Sequence, residues 1–254
     1  TSLIAQYAVS LMHRAGVPKE VLKLLPGTGA QVGASLTSSP VVQGVCFTGS
    51  TQTAQIINRS MAHNLAPAAP LIAETGGLNA MIVDSTALPE QAITDILASA
   101  FQSAGQRCSA LRLLYLQEDI AEPFLAMLFG AMDELKVGNP EQFDTDIGPV
   151  IDAAAQAKIQ NHIETGRRDG RLLKQLSCPS EGHFVGPAAL KVSGIDDLEE
   201  EIFGPVLHIA TFRNAEFDAI INAINSKGYG LTFGLHSRID ERVQNVIDGL
   251  DVGN

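Results

Sequence analysis

The chain has 254 residues, 45% of them hydrophobic and 5% aromatic. That is enough for one large domain or two modest ones around a core of Ala, Leu, Ile and Val, and it excludes a disordered chain. A net charge of −11, with no basic run beyond Arg167-Arg168, argues against nucleic acid as a partner, because a phosphate backbone needs a basic surface.

In chain order, apolar residues from Leu3 to Met12 recur at helical spacing, with Thr1 as the N-cap and Gly16 and Pro18 closing the element. Val21 to Leu25 reads as a short strand, and Pro26 to Gly33 as a tight turn into another helix. Val41 to Phe47 reads as a buried strand with Cys46 in the core, followed by Thr48-Gly49-Ser50-Thr51 and a helix from Gln52 to His63. After a polar break come strands at Leu71–Ala73 and Ala80–Val83, separated by Thr75-Gly76-Gly77. A long helix from about Pro89 to Ala104 has proline suitably placed at its start. Helices are expected over 120–135, 152–168, 215–225 and 240–248, and strands near Leu172, over 206–212 and over 231–235. This alternation is that of an α/β protein with an open, mainly parallel, twisted sheet. A domain boundary is expected between residues 79 and 80. No apolar run approaches the length of a membrane span, and no basic stretch leads into a hydrophobic signal segment, so secretion is not expected. The chain opens on Thr1 and stops within a strand-like Asp251-Val252-Gly253-Asn254, so an internal piece of a longer protein is expected.

Three cysteines, at 46, 108 and 178, form neither CxxC nor an even set, so a reduced, cytoplasmic protein without a metal site is expected. Cys178, before Pro179, reads as a surface thiol. Cys108 follows the long helix and Gly105, where a turn would expose it on a rigid support beside Arg107, a cation able to favour thiolate. Glu74 ends a strand, where an α/β sheet binds ligands and a partly desolvated carboxylate can act as a base. Phe47-Thr48-Gly49-Ser50 joins a strand end to a helix start, which suits a phosphate. Gly27-Thr28-Gly29-Ala30-Gln31-Val32-Gly33 is near GxGxxG but has its third glycine one place late. Taken singly, each feature also has a plain structural reading: a core or turn cysteine, a strand-end glutamate, a helix cap, and at Glu201-Ile202-Phe203-Gly204-Pro205 a turn with an apolar plug.

Together, and in this order, Phe47-Thr48-Gly49-Ser50-Thr51, Glu74-Thr75-Gly76-Gly77-Leu78-Asn79, Gly105-Gln106-Arg107-Cys108 and Glu201-Ile202-Phe203-Gly204-Pro205 resemble the aldehyde dehydrogenase superfamily over essentially the whole chain. Ala73 to Ser85, Ser103 to Arg112, Asp146 to Asp152 and Gly228 to Thr232 more narrowly resemble the pyrroline-5-carboxylate dehydrogenase domains of bifunctional bacterial proline-utilisation proteins. The resemblance implies a partial Rossmann-type dinucleotide-binding domain over 1–79 and a thiol-bearing catalytic domain over 80–254, truncated at its C-terminal end. It implies NAD as cofactor, Cys108 as nucleophile and Glu74 as general base. Cofactor contacts would come from Gly29, Gly33, Phe47, Thr48, Gly49, Ser50, Thr75 and Gly76. Glu201 would hold the nicotinamide ribose, Phe203 would back the nicotinamide ring, and Ser109 would meet the substrate carboxylate. The Cys108 N–H would supply half of an oxyanion hole. Its asparagine partner and an adenosine-binding lysine are expected upstream of Thr1, and an aldehyde-anchoring loop and oligomerisation strand after Asn254, so the chain alone is expected to bind NAD weakly and be inactive.

The implied reaction oxidises glutamate γ-semialdehyde, from 1-pyrroline-5-carboxylate, to glutamate in proline catabolism. An FAD-dependent proline dehydrogenase domain is implied upstream in an oligomeric parent. Three alternatives stay open: another semialdehyde or aliphatic aldehyde dehydrogenase, a non-catalytic relative, and an unrelated thiol acyl-transfer enzyme. The last would need a histidine beside Cys108, and none of the six histidines lies in such a motif.

Overall fold

The α/β alternation legible in the sequence is the architecture of the computed structural model, which describes residues 2–254; the N-cap assigned to Thr1 lies outside the described residues. The chain falls into two units that divide between Thr75 and Gly76. Leu78 and Ala80 are both buried in the core of the second unit.

The first unit contains α1 (Ser2–Arg14), a wide helical turn (Gly29–Gly33) running into α2 (Ala34–Thr37), then β1 (Val45–Gly49), α3 (Thr51–Asn64) and β2 (Leu71–Thr75). β1 and β2 pair in parallel with α3 as the crossover, the minimal βαβ connection. His13 and Arg14 in the last turn of α1 oppose the negative end of its dipole. The strand expected at Val21–Leu25 is absent. Val21 and Leu25 are exposed, and no strand of the described residues pairs with that segment, so its extended backbone has no ladder to hold it. β1 also starts later than expected: Val41 is exposed, and Val42 donates its N–H to Ser39 in a turn at 3.1 Å. Cys46 is exposed rather than in the core, as is its register partner Ile72 on β2.

The second unit runs β3 (Ala80–Val83), α4 (Pro89–Phe101), β4 (Leu113–Gln117), α5 (Glu118–Asp133), α6 (Ala153–Arg168), β5 (Leu172–Gln175), β6 (Ala188–Lys191), β7 (Val206–Phe212), α7 (Phe217–Ser226), β8 (Phe233–His236) and α8 (Asp240–Gly249). Its six strands lie in the order β5-β6-β7-β4-β3-β8, parallel throughout except for the edge strand β5. Both faces are covered, so the central strands are mainly apolar along their length rather than on alternate residues, with Gln117 of β4 and His208 of β7 as buried polar exceptions. Met81, Val83, Leu114 and Leu116 pack against α4, α5 and α6 on one face. Ala80, Ile82, Leu113 and Tyr115 pack with α7 and α8 on the other. Because β3, β4, β7 and β8 are mutually parallel, the loops entering them converge on one edge of the sheet, its amino edge.

Candidate active site

α4 stops at Phe101, short of the Ala104 end read from the sequence. Ser103, Ala104 and Gly105 follow with φ of 58°, 53° and 65°, a left-handed turn that costs an L-residue roughly 1–2 kcal/mol. Only glycine fits the third place, because a Cβ on Gly105 would run into the Gly204 carbonyl. The chain then makes a tight turn, closed by the Ala110 N–H donating to the Arg107 carbonyl at 3.0 Å. Cys108 and Ser109 form its exposed tip, and Ala110 is buried at once after them. A strained, packed run therefore presents a thiol to solvent on the loop entering β4.

Two buried polar side chains fasten that tip. Asn79, at the start of β3, donates through Nδ2 to the Cys108 carbonyl at 2.7 Å and to the Ala110 carbonyl at 2.9 Å, while its Oδ1 accepts the Thr232 N–H at 3.3 Å. Arg112 is 1% exposed. It donates to the carbonyls of Gly105 (2.8 Å), Arg107 (3.1 Å) and Gly204 (3.3 Å), and through Nε and Nη2 to Glu201 Oε1 (3.1 and 2.8 Å). Arg107, expected to bias the thiol, instead turns its guanidinium to the Ala98 carbonyl at 2.9 Å. The buried cation that senses Cys108 is Arg112. Burial weakens the hold of Arg112 on its proton; Glu201 opposes this most, and Cys108 adds to the opposition. Burial likewise holds the Glu201 carboxyl above its ordinary range, against the pull of Arg112 and the Gly77 N–H. Arginine stays charged across the accessible pH range, so the pair behaves as a buried ion pair.

Glu201 also nests on glycine: a Cβ on Gly76 would collide with its carboxylate. Phe203 is 44% exposed, with the Arg112 guanidinium carbon 5.3 Å from its ring centroid, and Ile202 between them plugs the core. Cys108, Ser109, Gly76, Glu201 and Phe203 are thus gathered on the amino edge of the six-stranded sheet. The remaining residues singled out in the sequence lie in the first unit. Parallel pairing sets Phe47 beside Ala73, Thr48 beside Glu74 and Gly49 beside Thr75 at the carboxyl ends of β1 and β2. Glu74 is exposed. Ser50 caps α3, its Oγ accepting the Thr53 N–H at 3.2 Å. Gly29 and Gly33 bound the wide helical turn before α2.

Each unit, taken by itself, carries features that suit part of a dinucleotide. The first turn of α3, at a parallel strand end, carries N–H groups with no acceptor inside the helix. The Glu201 carboxylate retains acceptor capacity beyond Arg112 and Gly77, and Phe203 offers an exposed ring. Among the described residues no cluster of His, Cys, Asp and Glu could hold a metal ion, and no helix is long and apolar enough to cross a membrane.

Comparison with known proteins decides the family. The pattern of the aldehyde dehydrogenase family matches residues 1–254. The chain belongs to the aldehyde dehydrogenase family. It is 50% identical over 265 aligned residues to the bifunctional protein PutA of Klebsiella aerogenes, covering all of this chain and 20% of that one. It is 35% identical to the 1-pyrroline-5-carboxylate dehydrogenase of Anoxybacillus flavithermus, covering half of it. A crystal structure of a bifunctional proline utilization A protein superposes on the whole chain with a TM-score of 0.96 at 49% identity, using 26% of that chain. A Thermus 1-pyrroline-5-carboxylate dehydrogenase with bound NAD gives 0.91 at 33% identity, using 50% of its length. This aldehyde dehydrogenase sequence thus spans from a fifth to a half of the relatives it matches.

Asn79 and Arg112 received no role in the sequence reading. A signal for Arg112 was present: a charge within Ala110-Leu111-Arg112-Leu113-Leu114, a run otherwise fit for burial, requires a buried partner.

Proposed function

We propose that the protein carrying this chain oxidises glutamate γ-semialdehyde to glutamate, with Cys108 as the covalent nucleophile and NAD+ as the hydride acceptor. The observation that carries the reading is the exposed thiol on a strained, doubly fastened turn, with Glu201 and Phe203 on the same sheet edge. The 50% identity to a PutA and 35% identity to a 1-pyrroline-5-carboxylate dehydrogenase support the substrate class.

In this reading the Cys108 thiolate adds to the aldehyde carbon, giving a thiohemiacetal whose oxyanion is met by the Cys108 N–H. NAD+ supplies the hydride acceptor, and Glu201 and Ser50 are the side chains that would hold its nicotinamide ribose and pyrophosphate, with Phe203 behind the ring. Loss of hydride from the thiohemiacetal carbon leaves a Cys108 thioester. Glu74 takes a proton from water, the water oxygen bonds to the acyl carbon, and the carbon–sulfur bond breaks to release glutamate and the thiolate. Ser109, beside the thiol, would meet the far end of the substrate. Orienting donors at a developing oxyanion are worth roughly 3 kcal/mol each, which is why the fastening of the Cys108 turn matters. The bifunctional relatives also support a flavin-dependent proline dehydrogenase segment in the same polypeptide.

The test is steady-state kinetics with 1-pyrroline-5-carboxylate, succinate semialdehyde and propanal. The kcat/KM for the first is expected to exceed the others by at least about tenfold, roughly 1.4 kcal/mol of discrimination. Equal or reversed preference would assign the protein to another aldehyde.

A further inference from the structure

We infer that Arg112 is a positioning residue that locks the nucleophile turn and the Glu201–Gly204 loop into one geometry, so that thiol and nicotinamide-ribose site are set by a single side chain. The inference rests on the roles of Cys108 and Glu201 proposed above. A guanidinium has five N–H donors in a fixed fork. Arg112 has five bonds to match: Gly105 and Arg107 carbonyls on the loop that carries Cys108, the Gly204 carbonyl, and two to Glu201 Oε1. No donor is left over, and the group is 1% exposed, so it is in no position to contact substrate directly. Its flat face lies 5.3 Å from the Phe203 ring centroid, so the aromatic residue is held by the same hub. Gly105 and Gly204 approach too closely for any Cβ on Gly105, which brings the two loops within reach of one fork. A lysine, with three donors on a flexible stem, can neutralise Glu201 but cannot span both loops.

The experiment uses the protein carrying this chain, with Arg112→Lys, Arg112→Met and Glu201→Gln variants, and reads three quantities. These are Kd for NAD+ by calorimetry, the rate of Cys108 alkylation by iodoacetamide without cofactor, and the kcat and KM for the aldehyde. Arg112→Lys is expected to weaken NAD+ binding and to slow alkylation by about tenfold each (about 1.4 kcal/mol), while KM for the aldehyde changes less than kcat. In a Glu201→Gln background the added loss of NAD+ affinity from Arg112→Lys should shrink to within about twofold, because the shared carboxylate is gone. A folded Arg112→Lys protein with NAD+ affinity and alkylation rate both unchanged would overturn the inference. So would losses that add in full in the double variant. If Arg112→Met fails to fold, the lysine and glutamine variants still give either result. If the parent binds NAD+ but oxidises none of the aldehydes tested, the functional reading fails while the binding and alkylation arms still judge Arg112.

Discussion

Cys108 and Glu201 stood out in the sequence because each sits in a short run whose neighbours have recognisable chemistry. Asn79 and Arg112 did not, because their partners are backbone carbonyls brought near only when the loops entering β3, β4 and β7 meet. Replacing Asn79 with Ala leaves the buried Ala110 carbonyl without its side-chain donor, and losing such a bond costs roughly 1–3 kcal/mol. We expect Asn79→Ala to lower the denaturant midpoint accordingly and to reduce kcat, with unfolding curves and turnover measured on the same preparation. Gly105 makes a sharper case, since φ of 65° and the neighbouring Gly204 carbonyl both refuse a side chain. Gly105→Ala should slow Cys108 alkylation as the turn is pushed away from Arg112, and an alkylation rate equal to the parent's would refute that geometry.

At the scale of elements, the long periodic helices were the readable ones. α3 and α6 carry side-chain N-caps at Ser50 and Asp152, and α4 has Pro89 in its first turn. β4 and β6 went unread although every residue of β4 is buried. Three or four consecutive apolar residues fit a buried strand or part of a buried helix equally well, and only sheet neighbours decide. Val21–Leu25 failed for the converse reason, strand-like residues with no strand to pair. The carboxyl end of β3 is tied down by Asp84, which accepts from the Thr86 N–H (2.7 Å) and hydroxyl (2.6 Å), from Ser237 after β8, and from Arg242 of α8 at 2.7 Å. Burial alone would raise its pKa, but the bonds from Ser237, Thr86 and Arg242 outweigh it and hold the carboxyl below its ordinary value. Removing one partner of a buried ion pair typically costs about 3–5 kcal/mol. Asp84→Asn should therefore lower stability at neutral pH by about 3 kcal/mol, seen in urea unfolding. The deficit should narrow only in acid, as the parent's own Asp84 takes up a proton.

Across the whole molecule, stability should depend on pH through buried His208 and its half-buried partner His162. His208 on β7 lies against Arg112, its Nδ1 2.9 Å from the Arg112 carbonyl, and its Nε2 is 2.9 Å from His162 Nε2 on α6. A carbonyl only accepts, so Nδ1 carries the hydrogen and Nε2 accepts from His162; the His208 ring is then neutral. Burial pushes His208 down to about 4 and lowers His162 as well. The unfolded chain takes up the His208 proton near 6.5, whereas the folded chain does so only near 4, so stability falls as pH drops through that window. At about 1.4 kcal/mol per pH unit, the His208 contribution reaches roughly 3 kcal/mol by pH 4. Denaturant midpoints between pH 7 and pH 5 should fall for the parent and fall less for His208→Gln; equal slopes would show that His208 is not held neutral. The α/β class and its family were legible from residue order, and Arg112 within an apolar run signalled a buried charge, whereas its partners were not legible, because they lie on loops far apart in sequence. In the reaction proposed above, the thiol at the tip of the β4 entry loop performs the covalent step. Its most direct test is a rapid-mixing experiment with 1-pyrroline-5-carboxylate and NAD+, comparing the parent with Cys108→Ala. Cys108→Ala is expected still to bind NAD+ but to lose the burst of NADH and at least about a thousandfold in turnover; a variant within about tenfold of the parent would mean that another group carries the covalent step.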